Sequence, residues 1–533
     1  MAATPATSLT LVSSGLADAR QRAPIGNPDI HQFVKVLKKT TRWAAQWNRV
    51  DFDGSAEFGT RVSLTLPRIA ELVNGITLVV TMPDIYATQL TAIKAAGGTS
   101  LDDRGAFLGP LYGWTNSLGH ALIDRVELEI GGATVEQLDG RLLEVLDELK
   151  EPLEAAVTKN AMIKRAPNNF GPRTWLSPTP TTVYVPLPFW FSRRGVLSHA
   201  LPLDALNADK VRVHVTFRPI NQLFYTQARV NAATVGYRPT VDPAPGSMWP
   251  LTGGRFWRSD PAATTRVYNM DPSTPPAGVK GAILDGVTLP SRFSPIDAYA
   301  LVEYVSLEEY EAIAMRSTEL TYHVEQHVAV PVTPTRGAKE VRIPLPYSNP
   351  TQELLWVAQR PEAEAYNAWF LFTRDVGPTV PPQSTPAQKS PCALPWWPDA
   401  TLLPSAATGW QIVPAFQTAY SEPIESATLL YNSYDRFVHE GGSFFRGVVP
   451  ARMYTKSAVH DRYVYAYSFG AGGGGGEPRG AANWDKIPRK EFYLTMAAGR
   501  AGTTPPEMNI YAYATIWNVF KVYGGRGGML FTS

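Results

Sequence analysis

Two histidines, His323 and His327, have the residue type and spacing that come closest to a metal site. Side chains four residues apart share one face of a helix, as two zinc ligands of many metalloproteases do. The order here is His-Val-Glu-Gln-His, whereas the metalloprotease motif is His-Glu-x-x-His, and the sequence offers no third ligand at a suitable spacing. We therefore expect ordinary histidines between two domains and predict no metal ligands.

Two glycine-containing segments share part of a catalytic or phosphate-binding motif. The sequence Gly441-Gly-Ser-Phe-Phe445 places a serine as a nucleophile elbow does, but that motif requires glycine where Phe445 stands. The five glycines 472–476 are not followed by the Lys-Ser/Thr pair of a phosphate-binding loop. We predict no nucleophile in the first segment and a flexible surface loop in the second.

The remaining reactive residue types also lack partners in the sequence. Asp102-Asp103 and Glu308-Glu309 are adjacent along the chain, which does not place two carboxylates across a cleft. Glu308-Glu309 suits the start of a helix, where acidic side chains are stabilised by the helix dipole. Cys392 lies between prolines, with no neighbour that would activate a thiolate. We predict no catalytic and no cofactor-binding residues.

Two aromatic groups could bind the faces of sugars or bases. Trp396 and Trp397 are adjacent, and Tyr463, Tyr465 and Tyr467 recur at strand spacing. Alternate residues of a strand share one face, so the tyrosines are better explained as one packed face of a sheet.

Length and charge limit the function classes. A chain of 533 residues exceeds the roughly 250–300 residues at which single cores stop growing, so we expect two domains. With 49 basic and 47 acidic residues the net charge is only +2, and no basic stripe is present. Direct sequence-specific binding of nucleic acid is therefore not expected. The 42 glycines and 46 prolines favour the many turns of β-sandwiches.

The sequence shows no targeting or membrane segment. No apolar run approaches the roughly 18 residues of a membrane span. The first 20 residues are rich in Ala, Thr and Ser, but no basic residue precedes an apolar stretch, so we do not expect a signal peptide. The single cysteine allows no disulfide within the chain, which is consistent with folding in a reducing cytosol.

Alternating apolar residues predict strands through the first half. The clearest are 61–67, 76–80, 126–130, 211–217 and 298–305, and Gly131-Gly132 should form the tight turn after the third. Leu138, Leu142, Val145, Leu146 and Leu149 recur at helical spacing, which predicts a short helix that ends before Pro152.

Three further segments complete the first half. Residues 183–191 are apolar but contain two prolines, which favours an edge strand. Residues 225–282 are rich in Pro, Gly, Ala and Thr and predict a long loop insertion. Ser306-Leu-Glu-Glu309 has the pattern of a capping box, so we predict a helix over 306–320.

A second series of strands follows, and residues 377–404 predict another loop insertion. The predicted strands are 341–345, 354–357, 367–372, 428–431, 463–469 and 510–520. The fold class is all-β, with two consecutive antiparallel sandwiches, short inserted helices and long loops. The predicted division is an N-terminal arm over 1–25, a first domain over 26–305, a helix and linker over 306–332, and a second domain over 333–533.

Ten segments of the chain match, in the same order, segments of the sequences of one protein family. The most specific is Thr115-Asn-Ser-Leu-Gly-His-Ala-Leu-Ile123 with Val126-Glu-Leu-Glu-Ile-Gly-Gly132. The others are 26–35, 41–44, 58–68, 187–192, 200–206, 302–309, 353–357, 435–437 and 524–528. With these segments, over most of its length, the chain resembles the major capsid proteins of nucleocytoplasmic large DNA viruses.

The resemblance implies a double jelly-roll of two eight-stranded units and a structural role without enzymatic activity. It implies homotrimeric, pseudo-hexameric capsomers that tile the shell of an icosahedral double-stranded DNA virus. The implied partners are neighbouring capsomers, minor capsid and penton proteins and, through minor proteins, an internal membrane layer. The protein would be made and assembled in the host cytoplasm and would end in the virion. By the same resemblance, the arm would order against neighbours or a layer beneath the shell.

Two other hypotheses fit parts of the sequence. A carbohydrate-binding or carbohydrate-active β-sandwich would explain the aromatic groups and long loops, but it lacks an export signal and a convincing acid pair. A minor or vertex capsid protein fits less well, because both halves are long enough for a full sandwich.

Overall fold

The first half of the chain consists mainly of antiparallel strands with three short helices. The computed structural model describes residues 42–83, 111–165, 181–192, 197–227, 256–258, 294–361, 364, 369–374, 422–456, 462–470, 480–499 and 504–531. In chain order the first half contains β1 (Trp43–Asp51), β2 (Arg61–Thr65), β3 (Leu72–Met82), β4 (Leu111–Trp114), helix α1 (Leu118–Leu122), β5 (Ile123–Ile130), β6 (Ala133–Asp139), helix α2 (Gly140–Lys150), helix α3 (Leu153–Met162), β7 (Thr181–Leu187), β8 (Leu201–Pro202), β9 (Val211–Phe217), a 3₁₀ turn (Ile220–Gln222), β10 (Phe224–Gln227), β11 (Phe256–Arg258) and β12 (Asp297–Leu307).

A single helix connects the halves, and strands again dominate the second. The elements are helix α4 (Glu309–Ser317), β13 (Leu320–Ala329), β14 (Thr333–Pro334), β15 (Glu340–Ile343), β16 (Pro350–Gln359), β17 (Ile424–Tyr431), β18 (Tyr434–Gly441), a π-helical turn (Phe444–Val448), helix α5 (Val449–Met453), β19 (Val464–Ser468), β20 (Ala482–Asn483), a 3₁₀ turn (Trp484–Lys486), β21 (Lys490–Met496), β22 (Asn509–Tyr523) and β23 (Arg526–Met529).

Each half is a sandwich of two sheets with four principal strands each. In the first half the strand orders are β1-β12-β3-β7, with β8 added to β3, and β2-β9-β5-β6. In the second half they are β13-β22-β16-β19, with β14, β20 and β23 added at the sides, and β15-β21-β17-β18. A small third sheet, β11-β10-β4, accompanies the first half. The repeated order confirms the predicted all-β fold with two eight-stranded antiparallel units.

Several local predictions are confirmed. Gly131 and Gly132 have φ of 60° and 88° and join β5 to β6 in a tight turn. Strand β7 lies at the end of its sheet, which agrees with Pro186 in the strand because a proline at an edge removes fewer ladder bonds. The strand ends at Leu187, before Pro188 and the rest of the predicted segment. Helix α2 follows the predicted spacing from Leu142 to Leu149, whereas Leu138 lies in β6 and not in the helix. Asp139 caps the helix by accepting a hydrogen bond from Leu142 N at 2.7 Å.

The predicted capping box at Ser306 is wrong. Ser306 pairs with Ala44 inside β12, and the strand continues through Leu307 because its N–H donates to the Glu71 carboxylate at 2.9 Å. The helix therefore spans Glu309–Ser317, and Glu308 precedes it without a side-chain capping bond. Strand β13 begins inside the predicted linker 306–332 and belongs to the second sandwich.

The predicted strand over 367–372 is also wrong where the structure describes it. Residues 369–372 form a turn and an irregular segment, although all four are buried. Trp369 is held by side chains: its Nε1 donates to Gln222 O at 2.8 Å, and its carbonyl accepts from Gln359 Nε2 at 2.8 Å. A short apolar run predicts burial without deciding between strand and loop.

One hydrophobic core runs through both halves. The largest fully buried side chains include Tyr304 in the first half and Trp356 in the second, and Trp190 contacts Phe520 across the two halves at 5.5 Å between ring centroids. The predicted arm 1–25, the insertion 377–404 and most of the insertion 225–282 lie outside the described residues. The described parts of 225–282 are strands and not loop, because β10 pairs with both β4 and β11.

Candidate functional site

Helix α2 carries three carboxylates into the junction between the two halves. Glu144, Asp147 and Glu148 stand at spacings of three and four residues, so they share one face of the helix. Only small side chains fit where α2 meets α1. A Cβ at Gly140 would lie 2.2 Å from His120 O, which fixes glycine at this contact. The helix is thus pressed into the interior with its acidic face inward.

Two arginines, one from each half, bind these carboxylates. Arg165, from the segment after α3, donates to Glu144 Oε2 at 2.5 Å and also to Asp147. Arg462, just before β19 in the second half, donates from Nη1 to Glu144 Oε1 at 2.5 Å and to Glu148 Oε1 at 2.6 Å. All five side chains are at most 3% exposed. Buried charges of this kind are tolerated only when they are paired.

Two more side chains form hydrogen bonds with the Glu144 carboxylate. Ser117 Oγ donates to Oε1 at 3.0 Å, and His120 Nδ1 lies 2.7 Å from Oε2. Arg165 Nε also donates to Ser117 Oγ at 3.1 Å. We call the set formed by Ser117, His120, Glu144, Asp147, Glu148, Arg165 and Arg462 the junction cluster.

Neighbouring charges keep the carboxylates of Glu144 and Asp147 ionised. Burial alone would raise the pKa of Glu144, but the adjacent Arg165 and Arg462 hold that pKa well below its usual range. Burial also opposes ionisation of Asp147, yet Arg165 and Lys159 lower its pKa to about 2. Burial lowers the pKa of His120 more than Glu144 raises it, so this histidine is neutral at pH 7.

A fourth buried carboxylate, Glu353 on β16, also joins the two halves. Lys150 Nζ at the end of α2 lies 2.6 Å from Glu353 Oε1. Thr515 Oγ1 donates to the same oxygen at 2.6 Å, and Tyr454 OH donates to Oε2 at 2.8 Å. The carboxylate is fully buried and has both oxygens satisfied.

Strands β6 and β13 form another part of the junction. Gln326 Nε2 donates to Val135 O at 2.6 Å, and Glu136 accepts from the backbone N–H groups of His327 and Trp190. Burial raises the pKa of Glu136 to about 8, so this carboxyl is mostly protonated at pH 7.

The hairpin between β22 and β23 closes the junction at its far end. Gly525 O accepts from Ala208 N at 3.0 Å, and Gly527 N donates to Asp209 Oδ2 at 3.0 Å. Gly525 has a φ of 81°, and a Cβ there would lie 1.9 Å from Asn207 Oδ1. Both its conformation and its contact therefore require glycine.

The candidate catalytic and metal-binding residues named from the sequence do not lie close together in the structure. His323 and His327 lie on strand β13 rather than on a helix. Four residues of strand separate them by about 13 Å, too far to share a metal ion. His323 is exposed, whereas His327 is buried and its Nδ1 lies 3.1 Å from Thr515 Oγ1. Among the residues that the structure describes, no three His, Cys, Asp or Glu side chains are grouped as metal ligands.

The other candidates have structural surroundings or fall outside the described ranges. Ser443 stands before a π-helical turn whose Phe445 is fully buried. Glu308 pairs with Arg42 at 3.0 Å, and Glu309 opens α4. Asp102-Asp103, Cys392, Trp396, Trp397 and residues 472–476 lie outside the described residues.

The tyrosine series is packed, as predicted from its strand spacing. Tyr465 stacks on Trp356 with ring centroids 5.9 Å apart, and Tyr467 contacts Phe437 at 4.8 Å. Tyr463 is also buried. These rings belong to the core of the second sandwich rather than to a ligand surface.

The junction cluster was not predicted from the sequence. Its only local sign is three carboxylates on the same helix as a leucine stripe, which is equally typical of a solvated helix face. Arg462 is 318 residues from Glu144, and nothing in its neighbourhood marks it. In the described part of the chain, no helix is long and apolar enough to cross a membrane.

Comparisons with known proteins agree with this architecture. The chain is 23% identical to the major capsid protein of Chrysochromulina ericina virus over 95% of this chain and 97% of that protein. It is 22% identical to the major capsid protein of Paramecium bursaria Chlorella virus 1, over 95% and 96% respectively.

Solved structures share the fold. The capsid of PBCV-1, as a quasi-atomic model, gives a TM-score of 0.61 at 20% identity and covers 94% of this chain and 100% of that one. The Faustovirus major capsid protein gives a TM-score of 0.59 at 11% identity, with 97% and 96% covered. At these identities the likeness establishes the double jelly-roll fold alone.

Two family models match consecutive parts of the chain. The model for the major capsid protein N-terminus matches residues 31–253, and the model for the large eukaryotic DNA virus major capsid protein matches residues 311–528. Together they cover most of the sequence, in the order that the two sandwiches follow. The chain therefore belongs to the double jelly-roll family of major capsid proteins of large eukaryotic DNA viruses.

Proposed function

We propose that this major capsid protein works as a homotrimer whose six jelly rolls form a capsomer with a nearly sixfold outline. Membership in the family makes the chain a structural, non-enzymatic protein of the capsid of a large icosahedral double-stranded DNA virus. The capsid lattice is its place of assembly, and the virion is where it is found. What we propose beyond this is the trimer, its threefold symmetry and its partners.

The observation that carries the proposal is the buried junction between the halves. The cluster around Glu144 and Arg462, the bonds to Glu353 and the shared core join two similar sandwiches into one body. A rigid chain with two similar units presents two similar sets of edges. Three such chains around a threefold axis give a block that packs against six neighbours.

The same architecture supports a proposed division of the chain. We place the first jelly roll in 26–305 and the second in 333–533, connected by 306–332, from which β13 joins the second unit. Residues 1–25 are proposed to contact neighbouring subunits or a layer beneath the shell. The long insertions 225–282 and 377–404 are proposed to lie at one end of the sandwiches, because sheet faces must pack together.

The proposed partners beyond the trimer are neighbouring capsomers, minor capsid proteins and penton proteins. Through minor proteins the shell would contact an internal membrane layer. Synthesis and assembly are placed in the host cytoplasm. The net charge of +2 supports close packing of identical blocks, since a large charge of one sign would repel them.

Electron microscopy of the purified protein tests the proposal. The expected images are blocks with threefold symmetry and a hexagonal outline, each large enough for three chains. Single two-lobed particles at micromolar concentration would contradict the trimer.

A further inference from the structure

An apolar surface at the edge of the first sandwich combines four large exposed side chains. On β1, Trp43 and Trp47 are 53% and 56% exposed, and on α4, Tyr310 and Ile313 are 59% and 53% exposed. Single exposed apolar residues are common, but two tryptophans and two further large side chains at one place are not. We call these four residues the β1–α4 surface.

The four residues are brought together by pairing and by one salt bridge. Trp43 stands opposite Leu307, two residues before α4 begins. Arg42 Nε lies 3.0 Å from Glu308 Oε1, which ties the start of β1 to the start of the helix. Side chains an odd number of residues apart on a strand point to opposite faces, and both tryptophans stand in that relation to buried Val50. The tryptophans therefore face away from the core.

Helix α4 turns its other side to the protein. Ala312 is buried, and Met315 packs on the small cluster of Leu72, Ala200 and Val305. At 100° per residue, Tyr310 and Ile313 lie on the opposite side of the helix from these contacts. An apolar outward face is unusual for a surface helix, which normally presents polar residues to solvent.

The arginines around this surface are paired within the chain. Arg49 binds Asp51 at 2.7 Å and Asp297 at 3.0 Å, while Arg316 binds Asp204. The surface therefore offers aromatic and aliphatic contact, whereas a nucleic acid or an anionic membrane requires free basic side chains. The exposed carboxylate of Glu309 on α4 would repel either of them. In addition, β1 ends its sheet, and in the described part of the chain it has β12 as its sole strand neighbour.

We propose that a second copy of this chain covers the β1–α4 surface as part of the trimer interface. The inference rests on the proposed trimer and names the surface that would form it. Copies of a capsid protein are one another's neighbours in the lattice. Permanent interfaces are more apolar than contacts between separate assemblies, and tryptophan and tyrosine are enriched in them. In a threefold ring, contacts are head-to-tail, so this surface meets a different surface of the next subunit.

The test compares two double variants of the full chain by sedimentation velocity. W43A/W47A removes the tryptophans, and Y434A/V438A removes a comparably exposed pair on β18 of the second sandwich. We expect W43A/W47A to raise the trimer dissociation constant at least about 100-fold, as loss of interface aromatics does. Y434A/V438A should leave it within about 3-fold. Circular dichroism and thermal melting of both variants check that they fold.

A photocrosslink tests the contact without removing it. With p-benzoylphenylalanine in place of Tyr310, irradiation should give a covalent product of two chains on a denaturing gel. If the W43A/W47A trimers were as stable as the wild-type trimers, the assignment of this surface would be overturned, although the trimer itself would stand. Crosslinks that form only within one chain would have the same consequence. Loss of lattice assembly with intact trimers would also overturn it. A monomeric wild-type protein would instead contradict the trimer itself.

Discussion

Arg462 Nη1 lies 2.5 Å from Glu144 Oε1, although 318 residues separate them and each belongs to a different half of the chain. Both side chains are 1% exposed. The pair joins the second sandwich to a helix that the first sandwich inserts into the junction. This contact is therefore one physical means of holding the two sandwiches together.

Removing one partner of this pair should destabilise the protein strongly. Arg462→Met leaves Glu144 and Glu148 with less positive charge in the interior, and loss of a buried partner typically costs about 3–5 kcal/mol. Chemical denaturation of both proteins at the same concentration measures this change in the free energy of unfolding. Arg61→Met is the matched control, because Arg61 pairs with Glu127 at 2.6 Å but is 54% exposed, and such pairs contribute at most about 1 kcal/mol.

The double variant R462M/E144Q sharpens this prediction. If the two residues interact directly, removing both should cost less than the sum of the single variants. Equal costs for R462M and R61M would show that the buried contact does not hold the halves together.

The junction cluster should resist mild acid. The pKa of Asp147 lies at about 2 in the folded protein, against an ordinary value of 3.8. A lowered carboxyl pKa gives stability that is fully present above the unfolded value and is lost as the pH falls through the folded one. Wild-type protein should thus exceed D147N by about 2 kcal/mol at pH 6, since one pKa unit corresponds to about 1.4 kcal/mol. The gap should close between pH 4 and pH 2.

Melting temperatures of both proteins from pH 6 to pH 2 measure that gap. The two curves should converge at the acid end. A constant difference across the whole range would mean that ionised Asp147 contributes nothing specific to the folded state.

Glu136 should make the junction sensitive to alkali. Its pKa is raised from 4.5 to about 8 in the folded protein, so folding favours the protonated form. The associated stability is fully present below pH 4.5 and is lost as the pH rises through about 8. E136Q should remove this loss and be more stable than the wild type at pH 9, by on the order of 4 kcal/mol.

Denaturation at pH 6 and pH 9 checks this sign. The difference between E136Q and the wild type should grow in favour of the variant with rising pH. If the wild type were at least as stable as E136Q at pH 9, the protonated state assigned to Glu136 would be refuted.

Alanine substitutions at Gly525 and Gly524 separate the cost of backbone strain from the cost of steric contact in the β22–β23 hairpin. Both have positive φ, 81° and 59°, but an added Cβ meets Asn207 only at Gly525 and nothing within 4 Å at Gly524. G524A should cost about 1 kcal/mol, as strained left-handed residues do. G525A should cost more, because Asn207 must also move. Thermal melting distinguishes the two, and equal losses would argue against the contact with the first half.

Much of the fold could be predicted because its signals are local. Strand β9 alternates strictly and β5 does so from Val126 to Ile130, and Gly131-Gly132 marks the connection of β5 to β6. Where two local signals competed, the sequence was ambiguous. Ser306 fits a capping box, yet the ladder with β1 keeps it extended, and Trp369 is buried by side-chain bonds rather than by strand pairing.

The junction cluster could not be predicted from local patterns. Whether Glu144 faces water or Arg462 depends on a contact between segments that fold onto each other only in the complete protein. The same holds for the outward face of α4, where Tyr310 and Ile313 follow ordinary helical spacing. Periodicity indicates which face of a helix is apolar, but it does not indicate what covers that face.

The mass of the purified protein at sedimentation equilibrium tests the central claim most directly. The chain has a mass of 58.4 kDa, and the trimeric capsomer predicts a species of three times that mass, stable at micromolar concentration. A single species with the mass of one chain, in protein that is folded by circular dichroism, would contradict it.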